Sequence, residues 1–147
     1  MKITALIIVT IFLIACSASN QKSTHIDLDG GEKPTFKLHG GGSLGRFVVY
    51  GPRQREGEGG AAFTVWEIAP IDGPLNSRYL WILRSIKYGV VPGGYKQIYP
   101  ENNVSPPLIV ENVNYRYRAE IVSAPWAVAD FKLINGKVVE VKNYTDH

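Results

Sequence analysis

Tyr115-Arg116-Tyr117-Arg118-Ala119-Glu120-Ile121-Val122 decides the fold class of this chain. Tyr115, Tyr117, Ala119 and Ile121 fall on one face of an extended backbone, and Arg116, Arg118 and Glu120 on the other. Strand side chains alternate with period two, so the stretch predicts a strand with one buried and one wet face. Aromatics at its first inward positions suit a pleated, half-buried surface.

Working outward, Phe63 to Ala69 alternates in the same way, and Pro70 with Asp72-Gly73-Pro74 ends it in a turn. Arg78 to Ile86 carries Tyr79, Trp81 and Leu83 against Leu80, Ile82 and Arg84. Apolar on both faces, it predicts a central strand with Trp81 buried between two sheets. Tyr95 to Tyr99 fits a short strand between Pro92-Gly93-Gly94 and the later prolines. Thr35 to Leu38 and Phe47 to Tyr50 predict strands ahead of these. Val128 to Ile134 and Lys137 to Lys142 flank Asn135-Gly136, the dipeptide that best suits a type I′ hairpin turn. Strands recurring between turn signals predict an all-β fold, an antiparallel β-sandwich of about seven strands.

Pro107-Leu108-Ile109-Val110-Glu111-Asn112-Val113-Asn114-Tyr115 resembles the turn into the penultimate strand of fibronectin type III and immunoglobulin-like domains. Trp66 sits where a fibronectin-type second strand tends to carry a Trp. The resemblance implies an immunoglobulin/fibronectin-like sandwich with a tyrosine corner, in which the Tyr115 ring enters the core and its hydroxyl bonds to backbone within Leu108–Asn112. The run from Leu108 to Tyr115 is one residue longer than the usual pattern and lacks its Pro-Gly, which leaves Tyr117 as the alternative corner. Ile86 to Pro100, with Tyr88-Gly89, Pro92-Gly93-Gly94-Tyr95 and the later Pro106-Pro107-Leu108, resembles a group of small bacterial secreted or lipid-anchored proteins. No activity comes with that likeness.

At the start, Lys2 precedes an apolar run from Ile3 to Ala15, a signal-peptide pattern too short for a comfortable membrane span. Leu13-Ile14-Ala15-Cys16 resembles the bacterial lipobox, which implies cleavage before Cys16 and lipid on its thiol. Cys16 is the only cysteine in the chain, and its position at the cleavage point fits that reading. An ordinary signal peptide cut after Ala18 would instead remove it. The expected organisation is a signal peptide at 1–15, a lipidated cysteine with a flexible tether at 16–34 and one β-sandwich domain at 35–147. In a Gram-negative host Ser17 resembles an outer-membrane sorting signal, which implies a lipid-anchored protein of the bacterial envelope, in the outer membrane and facing the periplasm or the cell surface. Its expected partners are the membrane, through the lipid, and an envelope protein.

Sixteen Lys and Arg stand against thirteen Asp and Glu. Loss of Lys2 with the signal segment leaves a balance of only +2, which does not favour nucleic acid as a partner. Gly40, Gly42 and Gly45 have the spacing of a dinucleotide fingerprint, but a strand and not a helix follows them, so they predict a bulge or loop. Pro52 to Gly60 predicts a solvated, charged hairpin tip. His25 in the tether, His39 in the glycine loop and His147 at the terminus have no spacing that suggests a metal site, and none has a Ser or Cys partner in view. No cofactor is expected.

Three functions follow for comparison. A protein-binding or structural module is the first, since sandwich edge strands can accept a partner strand. A glycan-binding module is the alternative, with Tyr88, Tyr95, Tyr99 and Trp126 near loops as the aromatics that would stack on sugar, and Trp66 and Trp81 assigned to the core. An enzyme would need Asp72, Glu101 or Asp130 as acid and base, and no catalytic activity is expected.

Overall fold

The computed structural model of this chain describes residues 23–52, 63–71 and 78–145. The predicted signal segment, Cys16, the charged loop from Arg53 to Gly60 and Asp72 lie outside the described residues.

The described chain forms an antiparallel β-sandwich. Its elements are β1 (His25–Asp29), β2 (Thr35–His39), β3 (Ser43–Tyr50), β4 (Thr64–Pro70), α1 (Leu80–Leu83), β5 (Ser85–Lys87), β6 (Tyr95–Tyr99), β7 (Asn114–Val122), β8 (Ala127–Ile134) and β9 (Lys137–Thr145). One sheet has the order β1-β2-β5 and the other β6-β4-β3-β7-β8-β9. That makes nine strands among the described residues, where the sequence predicted about seven. The predicted tether is one source of the difference. His25-Ile26-Asp27-Leu28-Asp29 pairs with β2 as a strand, so the sheet begins at His25 and not at Thr35.

The inward faces follow the alternation. Tyr115, Tyr117, Ala119 and Ile121 of β7 are buried, as are Ala127, Ala129, Phe131 and Leu133 of β8. Phe36 of β2 joins the two layers, its ring centroid 4.7 Å from Phe47, 5.4 Å from Tyr117 and 5.9 Å from Phe131. The edge-on geometry of these contacts suits the aromatic quadrupole, and such pairs contribute about 0.5–1.5 kcal/mol beyond the area they bury. Trp66 lies in the same core, against Phe47 and Tyr88, and donates from Nε1 to Gln97 Oε1 at 3.1 Å.

The corner expected at Tyr115 is present. Its ring is buried and stacks on Phe131, and its hydroxyl accepts the Val110 N–H at 3.1 Å. The Tyr117 hydroxyl instead reaches across to Ile26 O at 3.5 Å. The Asn135-Gly136 turn also forms where predicted, with φ of 51° and 72° at its two centres.

The segment Arg78–Ile86 departs from its predicted strand. Residues 80–83 make one helical turn, Arg84 takes φ 57°, and the strand is confined to Ser85–Lys87. A short, wholly apolar run fits period two and period 3.6 equally. In a single turn only one side can face the core, so Leu80 is buried, Leu83 is half-buried and Trp81 projects outward at 66% exposure. The expectation of a buried Trp81 is therefore corrected: Trp66, not Trp81, is the tryptophan between the sheets.

Candidate functional site

The helical turn α1 is held at both ends by backbone. Leu80 N–H donates to Gly42 O at 3.1 Å, and the Leu38 N–H donates to Arg84 O at 2.7 Å. Tyr79 makes an isolated antiparallel bridge with Ser43. The turn thus leans on the start of β3 on one side and on the end of β2 on the other. Fixed in this way, it presents Trp81, Tyr79 and Ile82 to solvent. The Tyr79 and Trp81 rings are nearly parallel, 21° apart, with centroids 6.1 Å from each other. Sequence reading assigned Trp81 to the core and did not single out Tyr79 or Ile82. No local signal was available, because Leu80-Trp81-Ile82 suits a strand buried on both faces as well as it suits a helical turn.

The glycine loop expected between β2 and β3 makes this arrangement possible. Gly40 and Gly42 take φ of 108° and 90°, and the register between β3 and β7 shifts at Leu44/Arg46. A Cβ on Gly42 would stand 2.7 Å from Ile121 Cγ2 and 2.9 Å from Val122 O. The loop lies against β7, and its Gly42 carbonyl receives α1.

The four aromatics predicted for sugar binding separate into two pairs. Tyr88 and Tyr95 are core residues. Tyr88 donates its hydroxyl to Pro107 O and Tyr95 to Leu44 O, each at 2.8 Å. Burial pushes the Tyr95 phenol up to about 12, and raises that of Tyr88 further. Tyr99 and Trp126 are exposed, at 44% and 45%. They stand far apart: Tyr99 is on edge strand β6 and Trp126 leads into β8, with β4, β3 and β7 between. Four strand spacings amount to roughly 19 Å. One face of Trp126 is already covered, since the Arg118 guanidinium lies 5.0 Å above its ring and 5.9 Å from that of Tyr50.

That outer face of the large sheet is a lattice of ion pairs. Arg116 spans both oxygens of Asp130 at 2.6 and 3.1 Å, Arg118 meets Glu120 at 2.7 Å, and Arg46 meets the nearly buried Glu67 at 2.7 Å. The Asp130 carboxylate is thus engaged by a cation. Glu101 lies in an exposed 3-10 turn just beyond β6, four strands from Asp130. The structure does not bring these two candidate acids together.

On the other sheet, His25 and His39 are directly opposed across β1 and β2, with Asp27 beside them. Sequence reading set these histidines apart because it took 25 as tether, although the polar–apolar alternation of His25 to Asp29 is itself a strand signal.

The chain matches no family model, no curated protein and no solved structure among those with which it was compared.

Proposed function

We propose that the protein is a non-catalytic binding module of the bacterial envelope, lipid-anchored through Cys16, that docks another protein on the Tyr79–Trp81–Ile82 surface. The observation that carries the reading is Trp81, two-thirds exposed on a turn that backbone hydrogen bonds hold rigid. An exposed Trp beside Tyr and Ile is an apolar anchor of the kind that supplies most of the energy of a protein interface. Its rigidity spares the ordering cost that a mobile loop would meet on binding. Sheet order supports the immunoglobulin-like reading of the scaffold: β1-β2-β5 and β3-β7-β8 correspond to the A-B-E and C-F-G groupings of that fold. Among the described residues no helix is long and apolar enough to cross a membrane.

The near-parallel Tyr79 and Trp81 rings favour a second reading, a sugar ring stacked on that surface. One experiment tests both. The lipid-anchored protein is crosslinked in its own envelope as the parent, as Trp81→Ala and as Val90→Ala, a change at an exposed residue away from α1. Loss of a specific crosslinked protein in Trp81→Ala alone supports the protein-docking reading. If all three give the same pattern, while envelope polysaccharide perturbs tryptophan fluorescence in the parent and not in Trp81→Ala, the sugar reading replaces it. If neither signal depends on Trp81, the surface is not the site.

A further inference from the structure

The outward row of the small sheet carries a different chemistry. In β1, Ile26 and Leu28 point toward the core, and His25, Asp27 and Asp29 point to solvent. The register with β2 sets His25 opposite His39 and Asp27 opposite Lys37. Opposed residues of antiparallel strands hold their Cβ atoms about 4.5–5.5 Å apart, and long side chains also reach diagonally. Asp27 uses that diagonal: its Oδ2 lies 3.0 Å from His39 Nε2. The imidazoles of His25 and His39 stack at 4.5 Å with 9° between their planes. One donor atom from each of the three residues lies within 4.8 Å of the others. Lys37 faces Asp27 but does not occupy it, because its ammonium is bound to Asp29 Oδ2 at 2.8 Å.

We infer that His25, Asp27 and His39 bind a divalent transition-metal ion of the zinc and copper class, with at least one coordination position open to solvent. Two imidazoles and a carboxylate are a donor set with which proteins hold zinc while leaving its fourth position free. Imidazole selects such ions over magnesium and calcium, which prefer all-oxygen shells. Zinc–ligand bonds of about 2.0–2.2 Å set tetrahedral donors roughly 3.3–3.5 Å apart. Asp27 and His39 are already near that spacing. His25 needs a side-chain rotation that turns a ring nitrogen out of the stack toward them, and its exposure leaves room for it. The ion would also fasten β1, an edge strand whose sheet neighbour is β2.

The chain has three histidines, and the third, His147, lies outside the described residues. This permits a clean test on the full chain prepared without a histidine tag, titrated calorimetrically with Zn2+, Cu2+, Mg2+ and Ca2+. The expected result is one Zn2+ or Cu2+ per chain and no heat from Mg2+ or Ca2+. His25→Ala and His39→Ala should each weaken zinc binding by at least the roughly 10- to 100-fold that loss of a mere outer-shell group costs. His147→Ala should leave it unchanged. As a readout that needs no variant, the ring resonances of His25 and His39 should shift together on addition of Zn2+. Zinc affinity that survives His39→Ala, that disappears with His147→Ala, or that leaves both ring resonances unmoved would overturn the site.

Discussion

Tyr115 and Tyr117 share a face of β7 and differ in what their hydroxyls hold. Tyr115 accepts the Val110 N–H at 3.1 Å and fixes the loop before its own strand, whereas Tyr117 donates over 3.5 Å to the opposite sheet. Removing a hydroxyl that serves a partly buried backbone group costs about 1–3 kcal/mol. Tyr115→Phe should therefore lose about that much in a denaturant melt, and Tyr117→Phe less, because its bond is long. The opposite ranking would assign the corner to Tyr117. The strand parity of both residues was legible in the sequence, since alternation alone fixes which side chains face inward. The resemblance to a tyrosine corner pointed to Tyr115, and the structure bears it out; alternation alone did not separate it from Tyr117, because the choice turns on the path of the Val110–Asn112 backbone, where Asn112 takes φ 60°.

At the scale of elements, turns set by glycine were readable and the single helical turn was not. Asn135-Gly136 specifies its hairpin locally, and nothing lies within 4 Å of a Cβ added to Gly136, so Gly136→Ala should cost only the positive-φ penalty of about 1–2 kcal/mol. Gly42 is different. An added methyl would meet both the positive φ and the Ile121 and Val122 contacts, and the Gly42 carbonyl also receives Leu80 N–H. Gly42→Ala should lose more than Gly136→Ala, about 2–4 kcal/mol, and should also loosen α1, seen as faster amide exchange at Leu80. Equal losses for the two would mean that the loop does not brace α1. The helical turn escaped sequence reading for a related reason. Its conformation is imposed by hydrogen bonds from β2 and from the glycine loop, which lie about forty residues away in sequence, and local propensity cannot report such bonds. Edge strand β1 was missed on other grounds: His25, Asp27 and Asp29 made the segment look like solvated linker, although Ile26 and Leu28 between them face the core.

For the whole molecule, the core is built of aromatic rings, and the hydroxyls of its tyrosines are tied to backbone. Burial raises the phenols of Tyr88, Tyr95 and Tyr117 above the usual tyrosine value, that of Tyr95 to about 12. A group whose pKa is raised by folding contributes stability that is complete below its unfolded value and is lost as pH rises through the folded one. Stability should thus hold at neutral pH and fall as pH climbs past about 10, the unfolded tyrosine value. Ultraviolet titration should show these phenols ionising only together with unfolding; ionisation at the ordinary value in the folded protein would contradict their burial. The same economy of aromatics makes the exception informative. With Trp66 and the core tyrosines inside, Trp81 is left outside on a braced turn, and the binding role proposed for it depends on its not being needed for the fold. Parallel denaturant melts of Trp81→Ala and Trp66→Ala test this directly. Truncating the buried Trp66 should cost about 3–5 kcal/mol, a large share of the ~5–15 kcal/mol of a small domain. Trp81→Ala should stay within about 1 kcal/mol of the parent and keep its cooperative transition. If Trp81→Ala instead loses as much as Trp66→Ala, Trp81 belongs to the core and the docking surface proposed for it does not exist.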